Sequence, residues 1–130
     1  MLPLECTQAL CEPDCGILEG RSDKSAWIEH DFWKDSWLQG RERGHGPEGG
    51  ETFNDVQKRF SELIEYLVAN HGETGTETGI LLVTHGELIQ LALPALCSSL
   101  DGKYILEHEF GYSVPIIIES QKGKFSCLEL

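Results

Sequence analysis

Hydrophobic positions along the chain change period several times, and each change marks an element. From Phe53 to Val68, the apolar residues Phe53, Val56, Phe60, Leu63, Ile64, Leu67 and Val68 recur at spacings of three and four. That period predicts a helix with one buried face. Thr52 stands where an N-cap belongs, and Asp55 three residues on takes the place of the usual Glu of a capping box. Asn70-His71-Gly72 supplies the stop. A second helix is predicted over Ser22 to Leu38, capped by Ser22 or Ser25, with Trp27, Ile28, Phe32, Trp33, Trp37 and Leu38 as its apolar set. The period disappears in Gly79-Ile80-Leu81-Leu82-Val83-Thr84-His85-Gly86, where the apolar residues run unbroken. Such a run predicts a strand over Ile80 to Thr84, buried on both faces as in a parallel sheet. A helix from about Glu87 to Leu93 follows, kinked or restarted at Pro94, which lacks an N–H. Ser113 to Glu119 and Phe125 to Leu130 read as strands joined into a hairpin by Gln121-Lys122-Gly123-Lys124.

Between these elements lie loops. Met1 to Leu10 reads as a loop or a frayed strand end, Glu12 to Arg21 is punctuated by Pro13, Gly16 and Gly20, and Gln39 to Gly50 is rich in glycine. The order of helices, then strand, helix, strand, strand predicts an α/β sandwich with a mixed sheet. A length of 130 residues bounds this to a single domain with one core.

Charge narrows the partners. The formal net charge is −12, which argues against nucleic acid and anionic membrane surfaces. No basic-then-apolar leader opens the sequence, and no segment has the apolar length of a membrane span. The five cysteines, Cys6, Cys11, Cys15, Cys97 and Cys127, are irregularly spaced, which fits free thiols in a reducing, cytoplasmic setting. No Cys/His set at finger-like spacing calls for a metal. A thiol enzyme built on Cys11 or Cys15 is the outlying alternative, against which stands the absence of Cys-x-x-Cys and of a Cys-x5-Arg phosphate loop.

The candidate chemistry sits at the end of the apolar run. Residues just past the carboxyl end of a sheet strand form the rim where ligands bind in open α/β folds. His85 falls there, and Gly86 opens a helix whose first N–H groups attract an anion such as phosphate. Two further patterns precede it. One is Glu12-Pro13-Asp14-Cys15-Gly16-Ile17-Leu18-Glu19-Gly20. The other is Gly49-Gly50-Glu51-Thr52, with Asp55 and Arg59 on the following helix. In series with Val83-Thr84-His85-Gly86, these resemble the histidine phosphatase superfamily, also called the phosphoglycerate-mutase-like family.

The resemblance implies a three-layer α/β/α phosphoglycerate-mutase-like sandwich with a mixed, mostly parallel sheet, spanning residues 1–130 as a partial domain. It implies phosphomonoester hydrolysis or phosphoryl transfer through a phosphohistidine, with no metal or organic cofactor. His85 matches the family's second His, which holds a phosphoryl oxygen. Glu12 matches the proton donor, which protonates the leaving alkoxide and then deprotonates water. Gly86 contributes to substrate binding through the helix start. Glu51 is implied to be structural, paired with Arg59 or capping the helix.

The family's nucleophilic His stands in an Arg-His-Gly strand ahead of all these motifs, and only eleven residues precede Glu12 here. The chain is therefore expected to be truncated at its N-terminus and inactive alone. Asn70-His71-Gly72-Glu73-Thr74 looks like the missing motif, but it has Asn for Arg and ends a helix, so His71 reads as helix termination. Three readings stay open: a fragment of a longer enzyme, a degenerate domain that pairs with a partner, or a non-catalytic pseudophosphatase acting as an anion-binding or interaction module. A phosphorylated small molecule or phosphoprotein is the expected ligand of an active form. Unpaired sheet edges would favour self-association. Trp27, Trp33 and Trp37 read as ordinary helix packing, with a substrate lid as the alternative. Arg21, Arg41 and Arg43 read as surface residues, and Glu73 to Glu77 as a solvated acidic loop.

Overall fold

The computed structural model describes residues 3–71, 79–108, 110–121 and 123–129, without the side chains of residues 128 and 129. Its helices are α1 (Lys24–Leu38), α2 (Phe53–His71), α3 (Gly86–Leu96) and α4 (Gly102–Glu107), and its strands are β1 (Ile117–Gln121) and β2 (Lys124–Glu129). Short 3₁₀ turns at Gln8–Leu10 and Gly16–Leu18 precede α1.

Helix α2 begins as its sequence requires. The Thr52 Oγ1 accepts the Asp55 N–H at 3.2 Å, and the Asp55 carboxylate accepts the Thr52 N–H at 2.9 Å. Both bonds satisfy donors that the first helical turn leaves orphaned. The bond donated by the Thr52 N–H is also the leading reason that the Asp55 carboxyl is held below the usual range. Helix α1 starts two residues later than predicted. Its cap is Asp23, which accepts from the Ala26 N–H and is fixed by Arg21 and Ser25. A charged oxygen that also binds Arg21 displaces Ser22 and Ser25 from the role.

Helix α3 organises the core. Leu91 packs with Trp37, Leu38, Phe53 and Ile105. Leu88 and Ala92 pack with Val56 and Phe60. Leu93 packs with Cys97 and Leu100, where the hairpin's Ile118 and Cys127 also lean in. One helix thus reaches three clusters and carries its N-terminus as a fixed point of the fold. Pro94 lies inside α3 rather than ending it. Three residues before Pro94, the Leu91 carbonyl accepts the Gln57 side-chain amide at 2.6 Å. The short helix α4 was not foreseen. Asp101 caps it by accepting the Tyr104 N–H at 2.9 Å.

The hairpin forms with β1 and β2 antiparallel and Gln121 facing Lys124, and Gly123 takes a φ of +76° in the turn. The strand expected over Ile80 to Thr84 does not form. Residues 79–85 are non-helical and join no ladder among the described residues, whose sheet contains β1 and β2 alone. The mixed, mostly parallel sheet and its two covering layers are accordingly not assembled among the described residues. A strand needs neighbours to take its N–H and C=O groups. Hydrophobicity supplies the run but not those neighbours. The stretch predicted as an acidic loop, Glu73 to Glu77, lies outside the described residues.

Candidate active site

Three loops converge at the start of α3. The first two are locked together by glycines. Gly16 has a φ of +54°, and a Cβ there would strike the Glu48 carbonyl and Gly50, while a Cβ on Gly50 would strike the Asp14 carbonyl. Because both positions lack side chains, the chains close to hydrogen-bonding distance. The Ile17 N–H donates to the Glu48 carbonyl at 2.9 Å and the Glu51 N–H to the Asp14 carbonyl at 2.8 Å. The glycines of the first two motifs therefore build one joint. The third motif is tied in by Thr84, whose hydroxyl donates to the Leu10 carbonyl at 2.6 Å.

This joint brings the two predicted site residues together. Glu12 Oε1 lies 3.9 Å from His85 Nδ1, and both side chains are 57% exposed. His85 occupies the N-cap of α3 with φ −102° and ψ 151°, and its side chain does not bond the helix start. The ring is thus free to face a ligand. Gly86 is the first helical residue, and nothing approaches the space that a Cβ would fill there. The first N–H groups of α3 have no acceptor within the helix, and amides so placed attract an anion.

Glu87, in the first turn of α3, would repel that anion. Its carboxylate is turned instead to His30 on α1, 3.0 Å away. The hydrogen bond that the His30 ring donates to Glu87 raises the His30 pKa to about 9, with burial opposing and Asp31 assisting. His30 is therefore an imidazolium at neutral pH, and it offsets the charge of Glu87 beside the helix start. Sequence reasoning missed both residues. Glu87 was adjacent to the motif, whereas His30 carried no signal, since only the packing of α1 brings it near.

A cleft of about 640 Å³ opens beside the pair, lined by Glu12, Cys15, Arg21, Trp27, His30 and Glu87 among others. His85 flanks this cleft rather than lining it. The Cys15 thiol is pushed up to about 11, first by burial and then by the charges of Glu87, Glu19, Asp14 and Glu12. A thiol so suppressed is a poor nucleophile at neutral pH, which removes the support for Cys15 as an activated cysteine. Cys6, Cys11, Cys15 and Cys97 are free thiols.

The tryptophans divide. Trp37 is buried, and its indole N–H is shared between the Glu42 and His45 carbonyls, while Trp33 packs beside it. Trp27 is 55% exposed and forms a wall of the cleft. Packing therefore accounts for Trp33 and Trp37, and Trp27 alone has the position of a lid residue. Arg43 spends its guanidinium on the Phe53 ring, 4.2 Å from the centroid, and on the Trp37 carbonyl. Arg21 is bound to Asp23. Glu51 pairs with Arg59 at 2.8 Å. His71 is the last residue of α2 and does not follow a strand. Among the described residues, no group of three or more His, Cys, Asp or Glu side chains is arranged to hold a metal ion. Among them, too, no helix is long and apolar enough to cross a membrane.

Comparison with known proteins adds to this geometry. No curated protein sequence matches the chain. Among solved structures it is similar to a mycobacterial glucosyl-3-phosphoglycerate phosphatase in complex with inorganic phosphate, at 21% identity and a TM-score of 0.71, covering 95% of this chain and 62% of that one. The native structure of that phosphatase aligns at 25% identity and a TM-score of 0.56, covering 81% of this chain and 50% of that one. A protein described as mycobacterial hydrolase 1 aligns at 25% identity and a TM-score of 0.55, with coverages of 81% and 51%. The chain thus spans between half and somewhat under two thirds of the length of these structures. The α/β fold class is shared with them. The family model of the histidine phosphatase superfamily, branch 1, matches residues 1–130, and the chain belongs to that superfamily.

Proposed function

We propose that this chain carries the supporting half of a phosphomonoester-hydrolysing or phosphoryl-transferring site. His85 and the N–H groups that begin at Gly86 would hold the phosphoryl oxygens. Glu12 would protonate the departing alkoxide and then take a proton from the attacking water. The observation that carries this reading is the 3.9 Å approach of Glu12 to His85 at the open start of α3. A general acid must stand within about one hydrogen bond, or one water, of the oxygen it serves. A phosphoryl group seated on the helix start beside His85 meets that condition. The ligand class is a phosphorylated small molecule or a phosphoprotein.

The 130 residues contain no Arg-His-Gly segment. Taken alone, they are expected to form no phosphohistidine and to leave p-nitrophenyl phosphate intact. Hydrolysis that His85→Ala abolishes and His71→Ala spares would contradict that expectation, because another group would then be acting as nucleophile. The anion site itself is tested by titrating inorganic phosphate into isotopically labelled protein. Shifts at the His85 ring and the Gly86 and Glu87 amides, lost in His85→Ala, support the reading. Shifts absent at those positions while the protein is folded overturn it. Binding without turnover would favour the second reading, a non-catalytic anion-binding or interaction module, and the absence of an Arg-His-Gly segment is the observation that motivates it.

A further inference from the structure

The proton donor of such a site has to be held at a fixed distance from the phosphoryl pocket, and Glu12 lies on a loop. A loop of this kind is ordinarily mobile unless its backbone is tied down. Arg59, on the second turn of α2, ties it at several points. Its Nη1 donates to the Ala9 carbonyl at 2.7 Å. Its Nη2 donates to the carbonyls of Cys11 at 2.9 Å and of Glu12 itself at 3.3 Å. The same guanidinium is held by Glu51, through Nε at 2.8 Å and Nη2 at 3.1 Å. Glu51 in turn accepts the Asp14 N–H at 2.9 Å, just past Glu12. The loop is thus gripped before, at and after the proton donor. On its other side, Thr84 holds the Leu10 carbonyl at 2.6 Å, one residue from His85.

We infer that Arg59, backed by Glu51, is a positioning residue that fixes Glu12 against His85. The inference rests on the reading of Glu12 as proton donor. The guanidinium is suited to this because its planar fork carries N–H donors in fixed directions, and here its three nitrogens serve three carbonyls and one carboxylate. An ammonium at the same place would balance the Glu51 charge but could not reach all these oxygens at once. That difference separates positioning from mere charge pairing.

The test is nuclear magnetic resonance on the full chain. In the parent protein, cross-relaxation should link the Glu12 side-chain protons to the His85 ring, and Glu12→Gln should shift the His85 ring signals. In Arg59→Lys both signatures should be lost, while contacts among Trp37, Phe53 and Leu91 persist. Retention of both in Arg59→Lys overturns the inference, since charge alone would then suffice. Should that variant not fold, the parent decides. The amides of Cys11, Glu12 and Asp14 and the Arg59 Nε–H should show order parameters near those of rigid backbone, about 0.85, and values under about 0.6 overturn the inference. Inorganic phosphate separates this from the functional reading. If phosphate leaves His85 and Gly86 unmoved while the Arg59 effects appear, the phosphoryl-site reading fails and the clamp stands. If phosphate binds and Arg59→Lys preserves the Glu12–His85 signatures, the clamp fails and the reading stands.

Discussion

Two apolar stretches lie almost side by side in this chain, Ile80 to Val83 and Leu88 to Leu93. In the second, Leu88, Leu91, Ala92 and Leu93 are all buried, each against a cluster drawn from other helices or the hairpin. In the first, Leu81 is 83% and Val83 79% exposed. The intervening Leu82 is half-buried, so the run shows an inner and an outer side with a period of two. The exposed stretch is the more hydrophobic in composition, since Ile80 to Val83 is wholly apolar while the buried one contains Gln90. What separates them is self-sufficiency. A helix closes its own backbone hydrogen bonds and needs only side-chain contacts to be buried. An extended run needs neighbouring backbone as well. His85 stands between the two, rooted in the first kind of structure and preceded by the second.

The largest effect that sharpens this contrast is a pair of truncations. Fully burying a leucine side chain is worth about 1.5–3 kcal/mol, and a cavity adds to the cost of removing it. Leu91→Ala should therefore lower the free energy of unfolding by about 2–5 kcal/mol. Leu81→Ala should change it by less than about 0.5 kcal/mol. Urea unfolding followed by tryptophan fluorescence measures both. Equal losses would mean that the run is buried in solution and that the contrast is wrong.

The helices were legible because their determinants are local. The spacing of Phe53, Val56 and Phe60 and the reciprocal Thr52–Asp55 cap are contained in a few residues, and α2 forms where they point. The hairpin was legible for the same reason, since its turn lies between its strands. Ile80 to Thr84 was misread because burial of a strand is decided by residues distant in sequence. In the candidate site, Glu12 and His85 were singled out by motif, and the structure sets them 3.9 Å apart. The partnership of His30 with Glu87 spans 57 positions, and nothing in the spacing announces it.

That partnership joins α1 to the first turn of α3, where the two regions meet, and it gives the second prediction. The His30 pKa is raised to about 9, chiefly by Glu87. A histidine raised on folding stabilises the fold fully below its unfolded pKa, about 6.5, and loses that stabilisation as pH climbs through the folded value. Stability should thus fall from about pH 6.5 to about pH 9. His30→Gln should flatten this dependence, and the difference between parent and variant near neutrality should be on the order of 1 kcal/mol, because solvent screens a partly exposed pair. A parent-minus-variant difference that is constant over that pH range would show that the pair contributes nothing.

A smaller effect separates helix-autonomous stability from packing. Thr52→Ala removes one of the two capping bonds of α2 and should cost about 1 kcal/mol in urea unfolding. The loss should be the same in the parent and in Leu81→Ala, since the cap and the exposed run share no partner and distant sites are additive to within about 0.5 kcal/mol. Coupling beyond that would place the run in contact with α2 in solution.

The smallest effect on the folded monomer is also the one that asks what the exposed run does. Leu81 and Val83 are exposed on a run that joins no ladder among the described residues, and unpaired backbone flanked by apolar side chains can recruit a further strand. Copies of the chain are proposed to associate through it. Leu81→Lys with Val83→Lys places two charges on that outer side without entering any buried cluster, so unfolding free energy should stay within about 0.5 kcal/mol of the parent. The sedimentation coefficient of the parent should rise with concentration, and that of the double variant should not. A parent that sediments as a monomer throughout would sink self-association. A double variant that associates as the parent does would place the interface elsewhere, and the net charge of −12 makes that discrimination clean, because any residual contact has to overcome general repulsion between copies.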